Sequence, residues 1–322
     1  MCKHGENLPV QIVIVNYRTA DLVVDCLRSL VTEIETVAGC RIVVVDGGSG
    51  DGSAERLANA VQVEGWSGCV ELLLLTENRG FAVGNNAAIR PLLEGPNSPD
   101  YVLLLNPDTV VRPGAIRALV EFMDAHPRVG IAGSRLEDPD GTPQRSAFRF
   151  PTVASEFDSG MRLGLVSRLL QKYVVAPPVR NDAHPTDWVA GASMMIRWPV
   201  IAAVGLLDES YFLYFEETDY CLQARRAGWQ CWYVPSSRVV HLVGQSSGVT
   251  NPKNRPKRMP RYWFDSRRRY YHKNHGFVYM VLASAAWLFG YAIWRVRSWL
   301  QRKPNHLPAY FVRDFVQYTL FP

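Results

Sequence analysis

The chain has 322 residues, 48% of them hydrophobic, and a formal net charge of +5, which is enough for one large domain or two with an ample core. Its six cysteines (Cys2, Cys26, Cys40, Cys69, Cys221, Cys231) form no C-x-x-C pair, which excludes a zinc ribbon, a dithiol redox motif and a disulfide framework and fits a reducing compartment. The stretch Met1–Asn7 lacks the basic-then-apolar pattern of a signal peptide, and nothing is repeated at a fixed period or low in complexity.

Val10 to Val15 is a β-branched run ending in Asn16-Tyr17-Arg18. A run without alternation predicts a parallel strand covered on both faces. Val23, Leu27, Leu30 and Val31 then recur at i, i+4, i+7 and i+8, a helix with one buried face. Arg41 to Val45 is a second strand, ending in Asp46 and followed by the turn Gly47-Gly48-Ser49-Gly50-Asp51-Gly52-Ser53. Val70 to Leu75 is a third, followed by Thr76-Glu77-Asn78-Arg79-Gly80. Tyr101 to Leu105 is a fourth, stopping at Asn106-Pro107-Asp108-Thr109. Beyond Pro113, Ile116, Leu119, Val120 and Met123 mark another helix. Strands alternating with helices imply a parallel α/β sheet with right-handed crossovers.

From Glu137 to Asp187, Pro, Arg and short apolar pieces alternate, which reads as a long, partly mobile connection. Ser193 to Ile196 is a further strand. A helix begins at Glu216-Glu217-Thr218-Asp219, with Gly228 as its stop. Cys231 to Val234 is a last strand, and His241 follows it before Gly244-Gln245-Ser246-Ser247-Gly248.

Asn16, Asp46, Glu77, Asn106 and Asp108 all stand at strand C-termini, the edge where open α/β sheets bind ligands. The first strand-to-helix turn holds no glycine, the Gly47–Gly52 cluster does not fit G-x-G-x-x-G, and no G-x-x-x-x-G-K-[ST] loop is present. A nucleotide would therefore bind without either phosphate cradle.

A sugar nucleotide carries a diphosphate whose charge a divalent cation neutralises. Asp108 is the natural ligand and His241 a second, although turn capping and a plain surface or core histidine are the structural alternatives. Glu216, Glu217 and Asp219 crowd one turn, where carboxylates raise one another's pKa and suit proton transfer near neutrality. The helix dipole alone also favours acids there. It does not account for the aromatic run Tyr211 to Phe215, which would wall them from water.

Asn16-Tyr17, Val45-Asp46-Gly47-Gly48-Ser49-Gly50-Asp51-Gly52-Ser53, Glu77-Asn78-Arg79-Gly80-Phe81-Ala82-Val83-Gly84-Asn85-Asn86, Asn106-Pro107-Asp108 and Phe215-Glu216-Glu217-Thr218-Asp219 resemble the family 2 inverting glycosyltransferases. The branch is that of the bacterial rhamnosyltransferase-like and galactofuranosyltransferase-like enzymes. The match runs from about Val10 to about His275 and is specific as to family rather than sugar. It implies a GT-A fold, a Rossmann-like, mixed but mainly parallel sheet with helices on both faces, over a catalytic domain at 1–250.

The resemblance further implies that Asp46, with Asn16 and Tyr17 nearby, contacts the nucleotide base or ribose. Asn78, Arg79, Gly80 and Asn85 would line the donor pocket. Asn106-Pro107-Asp108 matches the D-x-D metal motif with Asn at its first position, leaving Asp108 as the main ligand of Mg2+ or Mn2+ and Asn106 on the donor side. His241 falls where relatives place a metal-binding histidine, and Trp188 with Gly191-Ala192 matches a segment bordering the acceptor. Glu217 matches the second acid of a Glu-Asp pair, usually the base, with Asp219 kept as the second candidate beside Glu216. The implied reaction is a single displacement from a nucleotide-diphosphate sugar, dTDP-rhamnose by likeness, to a hydroxyl of a lipid-linked or polysaccharide acceptor. The other reading is a non-catalytic sugar-nucleotide or glycan-binding protein on the same fold.

Residues 251–322 form a basic, aromatic and apolar helical extension. Arg255 to Lys273 carries much of the positive excess with Tyr262, Trp263, Phe264, Tyr270 and Tyr271 interleaved. Gly276 to Trp294 has no charge and Arg295, Arg297, Arg302 and Lys303 follow. As a helix it would span roughly 28 Å. Positive charge on both flanks favours no orientation, so a helix lying in the membrane interface fits better than a span. A core or homodimer helix is the alternative. The expected location is cytoplasmic, on the inner face of the cell membrane. A nucleic-acid partner, though compatible with the basic stretch, leaves the strand-end motifs unexplained and is not expected.

Overall fold

The computed structural model of the chain describes residues 10–34, 37, 39–95, 98–242, 258–305 and 307–321. Met1–Asn7 with Cys2, the Gly244–Gly248 run and Arg255 lie outside the described residues.

The first half alternates β1 (Val10–Asn16), α1 (Ala20–Ile34), β2 (Arg41–Asp46), α2 (Ser53–Val63), β3 (Val70–Leu74), α3 (Phe81–Glu94) and β4 (Tyr101–Leu105). These four strands pair in parallel in the order β3-β2-β1-β4. Both faces of β1 are covered, which is why its sequence does not alternate. Val10, Ile12 and Ile14 pack with α1 and α2, while Val13 packs on the other side with α3.

Next come β5 (Thr109–Val111), α4 (Ala115–Ala125), β6 (Val129–Glu137) and the two-residue β7 (Ala147–Phe148). They are followed by α5 (Val153–Met161), α6 (Gly164–Leu169), β8 (His184–Thr186), β9 (Trp188–Val189), β10 (Ser193–Arg197), α7 (Trp198–Val204), α8 (Glu216–Arg226) and β11 (Gln230–His241). The last elements are α9 (Arg261–Leu300) and α10 (Phe311–Leu320). β10 inserts antiparallel between β4 and β6, β6 runs parallel to β11, and β5 and β8 flank β11 antiparallel. The sheet is thus mixed but parallel through its N-terminal half, as expected. β11 is much longer than the Cys231–Val234 core read from sequence and carries His241 at its end.

The segment Glu137 to Asp187 corrects the expectation of a loose connection. Thr152 caps α5: its side chain accepts from Ser155 N at 3.1 Å, and Ser155 Oγ accepts from Thr152 N at 2.7 Å. The helix then packs closely on α9. A Cβ on Gly160 would lie 2.4 Å from Trp287 O, and one on Gly290 would lie 2.5 Å from Phe157 O. The partner of this short helix is far away in sequence, so no local pattern announces it.

α9 breaks at Gly276, where φ is 85° and ψ 169°. Its first part, up to His275, packs on the loop before α8. Its second part buries Met280, Ala283, Trp287, Tyr291 and Trp294, a helical stripe against α5 and α10. The opposite side exposes Phe277, Val278, Leu282, Phe289, Val296 and Trp299. By length and composition this helix is long and apolar enough to cross a membrane.

Candidate active site

Parallel pairing in register sets Asn16 beside Asp46 at the ends of β1 and β2. Asn16 Nδ2 donates to Asp46 Oδ2 at 2.7 Å. Ser49 closes the turn, donating from its N to Asp46 Oδ1 at 2.9 Å and from its Oγ to Oδ2 at 2.7 Å. Asp46 is 4% exposed with both oxygens accepting hydrogen bonds within the chain. It therefore ties the ends of β1 and β2 to the turn that follows β2. Tyr17, by contrast, is exposed beside it.

The turn after β3 is built around two close approaches. Gly80 N donates to Asn78 Oδ1 at 2.9 Å, and Phe81 N donates to Phe212 O at 2.9 Å. A Cβ on Gly80 (φ 95°) would stand 2.0 Å from that same Phe212 oxygen, so only glycine fits. This contact joins the N-terminal half of the fold to the loop that leads into the acids. Asn85 is buried and donates to Phe81 O at 2.9 Å. Arg79 points outward, 3.9 Å from Glu77.

β5 and β11 pair so that Thr109 faces His241, and Leu242 N donates to Asp108 O at 2.9 Å. This ladder brings His241 Nε2 to 3.6 Å from the buried Asp108 Oδ1. Gln144 Nε2 holds the His241 carbonyl at 2.8 Å. Asn106 is fixed by its backbone: its N donates to Ala192 O at 3.1 Å, and its O accepts from Thr109 Oγ1 at 2.7 Å. One carboxylate and one imidazole converge here. The pair fits a hard divalent cation that takes its other ligands from substrate phosphate and water. Among the described residues no group of three or more His, Cys, Asp or Glu forms a fuller cage.

Tyr214 and Phe215 both have left-handed backbones, φ 70° and 69°, each disfavoured by roughly 1–2 kcal/mol for a non-glycine residue. α8 starts immediately after them, so Glu216 and Glu217 occupy its first turn. Burial pushes the Glu217 carboxyl up to about 7. Glu216 is held well above the usual carboxylate range by burial and then by the Glu217 charge. A Cβ on Gly191 would sit 3.5 Å from the Phe81 ring and 3.8 Å from Glu217 Cβ, so glycine keeps the space in front of Glu217 open.

These groups meet at a cavity of about 690 Å³ whose lining includes Tyr17, Asn78, Asn106, Gly191, Ala192, Glu216, Glu217 and His241. Asn16, Asp46, Gly80, Asn85 and Asp108 stand behind that wall, and Arg79 faces away. Two candidate residues do not line this cavity. Asp219, the second candidate base, is turned from the cavity, accepting from Lys273 Nζ and Asn274 Nδ2 at 2.6 Å each. Trp188 stacks on Phe148 at 4.2 Å and donates to Arg149 O at 2.9 Å, so it braces the segment leading to Gly191 and does not line the cavity. Sequence reasoning missed Gln144, Arg145 and Tyr262 as lining residues. Among the described residues lining the cavity, Arg145 is the single Lys or Arg. Tyr262 carried a signal, an aromatic in a basic helix, but no indication of where that helix docks.

Residues 11–172 match the sequence profile described as Glycosyl transferase family 2, and residues 101–318 that of Glycosyl transferase family group 2. An N-acetylglucosaminyl-diphospho-decaprenol L-rhamnosyltransferase of Mycobacterium tuberculosis is 29% identical over 218 residues, covering 64% of this chain and 68% of that protein. A dTDP-rhamnosyl transferase of Shigella flexneri is 24% identical over 256 residues, covering 78% and 74%. Among solved structures, a mannosyltransferase from Pyrobaculum calidifontis in complex with GDP-Man and Mn2+ aligns with a TM-score of 0.58 at 15% identity, over 98% of this chain and 81% of that one. The likeness shows a shared GT-A fold.

Proposed function

Because the chain belongs to Glycosyl transferase family 2, we propose that this enzyme moves L-rhamnose from dTDP-rhamnose to a hydroxyl of a lipid-linked saccharide, with inversion and a divalent cation. The sugar and acceptor rest on the named activities of the two rhamnosyltransferase relatives. The observation that carries the chemistry is one cavity lined by both Glu217, its carboxyl pushed up to about 7, and His241, which stands 3.6 Å from Asp108.

Glu217 acts as general base. Its raised pKa lets it take the acceptor hydroxyl proton near neutrality. The acceptor oxygen bonds to the anomeric carbon as the bond from that carbon to the diphosphate oxygen breaks. The nucleoside diphosphate leaves with the electron pair, and one carboxylate acting on the incoming oxygen gives inversion. Tyr17 offers a ring to the nucleotide base, and Arg145 supplies positive charge for the diphosphate. Asp108 and His241 would hold Mg2+ or Mn2+, which would supply charge neutralisation at the diphosphate.

The exposed apolar side of α9, bounded by Arg295, Arg297, Arg302 and Lys303, suits a peripheral position on the inner membrane face, where a lipid-linked acceptor resides. The test is a thermal-shift panel of nucleotide sugars with and without Mn2+. A donor present at 100 times its Kd stabilises by about 2.7 kcal/mol. A shift that needs dTDP-rhamnose and Mn2+ together, and that Asp108→Ala abolishes, is expected. A metal-independent shift, or one seen equally with every nucleotide sugar, contradicts the reading.

A further inference from the structure

From the contacts along one face of α9, we infer that Tyr262, Ser266, Tyr270 and Lys273 are positioning residues for Glu217, making the first part of this helix a component of the active site. The inference rests on the assignment of Glu217 as the base.

Hydrogen bonds inside the loop from Asp208 to Phe215 tie its start, Tyr211 N to Asp208 O at 3.1 Å and Ser210 N to Asp208 Oδ1 at 3.0 Å. Two consecutive residues in it are left-handed without being glycine. Each of its last four residues is met by α9. The Tyr262 ring stands 5.1 Å from that of Phe212 and 6.4 Å from that of Tyr214. Ser266 Oγ donates to Leu213 O at 3.0 Å. The Tyr270 ring lies 5.5 Å from Phe215. Positions 262, 266 and 270 follow one another at i, i+4 and i+8, a single stripe of the helix.

Lys273 continues that stripe and clamps both ends of the loop. Its Nζ donates to Asp208 Oδ2 at 2.9 Å, before the strained turn, and to Asp219 Oδ2 at 2.6 Å, after it. Arg269 adds hydrogen bonds of 3.0 and 2.7 Å to Asp208 Oδ2. Although burial pushes the Asp208 carboxyl upward, Lys273 and Arg269 hold it down to about 2. Asp219, read from sequence as a candidate base, is thereby an anchor. Tyr262 also lines the cavity with Glu217.

The test compares Ser266→Ala, Lys273→Met and Lys273→Arg in the full chain. The titratable groups sharing the cavity with Glu217 are Glu216, Arg145, His241, Tyr17, Tyr214 and Tyr262, and none is altered. Lys273→Met should lower kcat roughly 10–100-fold with donor KM within about twofold, and Ser266→Ala should lower it several-fold. In Lys273→Met the acid limb of the kcat/KM profile should move below 7 as Glu217 regains water, and Lys273→Arg should restore it. Unchanged kcat and an unmoved limb, with only a lower Tm, overturn the inference. A second readout does not need turnover. The pH-dependent Tm gap between Glu217 and Glu217→Gln should shrink in the Lys273→Met background. A gap that persists undiminished overturns the inference even if the transferase assignment holds, and a gap that shrinks shows that α9 holds the Glu217 loop, with the role of Glu217 as base read separately from turnover.

Discussion

Glu217→Gln should make the protein slower and, above neutral pH, more stable. Burial pushes the carboxyl up to about 7 from an ordinary 4.5. Below pH 4.5 the group is protonated in both folded and unfolded chains and contributes nothing to the difference. Between 4.5 and 7 the unfolded chain has released a proton that the folded one still holds, so stability falls as pH rises. Above 7 the loss is complete. At roughly 1.4 kcal/mol per pH unit, the whole interval is worth about 3 kcal/mol. Glutamine has the same shape and no charge, so the variant should avoid that loss. With unfolding entropy near 2.1 cal/mol/K per residue, 3 kcal/mol is about 4 °C in Tm for a chain of 322 residues. The assay is thermal unfolding of both proteins at pH 4 and pH 8, with turnover measured alongside. The variant should match wild type at pH 4, exceed it by a few degrees at pH 8, and lose about 10²- to 10⁴-fold in kcat. An equal gap at both pH values refutes the burial argument, and near wild-type turnover refutes the assignment of the base.

Asp108→Ala should abolish the Mn2+-dependent part of donor binding while leaving the fold intact, measured by calorimetry with dTDP. Unchanged dTDP affinity in Mn2+ would remove Asp108 from the metal site. Gly80→Ala should destabilise by on the order of 3 kcal/mol, because a methyl group there meets Phe212 O at 2.0 Å on a backbone that only glycine adopts comfortably. A denaturation midpoint like wild type would count against the close approach. Glu156→Ala leaves the buried Arg267 without its 2.9 Å partner and should cost about 3–5 kcal/mol, read from urea unfolding. A loss below about 1 kcal/mol would show that this ion pair does not hold α5 to α9.

The parts of the site legible in the sequence are those that local chain geometry places. Asn16, Asn106 and Asp108 follow buried parallel strands, so the polar residue after each apolar run had to reach the ligand edge. Glu217 was legible because helix α8 begins there behind an aromatic run. Asp46 was found for the right place, but its role could not be read, since its partners come from β1 and from its own turn. The positions of Asp219 and Trp188 off the cavity could not be read for the same reason. What turns each away is distant in the chain, Lys273 for one and the pair Phe148 and Arg149 for the other. The helix inside the Glu137–Asp187 segment was illegible because the glycines that admit it, Gly160 and Gly290, have meaning only as a pair. Tyr262 lies in a basic stretch of a kind that also suits a membrane surface or nucleic acid, and only the docking of α9 makes it line the cavity.

The central claim is inverting transfer of rhamnose with Glu217 as base. Its most direct test is incubation of the full chain with dTDP-L-rhamnose, Mn2+ and a polyprenyl-diphosphate-linked N-acetylglucosamine, with the product's anomeric configuration read by NMR. The account predicts one added rhamnose with configuration opposite to the donor's, formed by wild type and not by Glu217→Gln. A product with retained configuration, or equal product from Glu217→Gln, would contradict it.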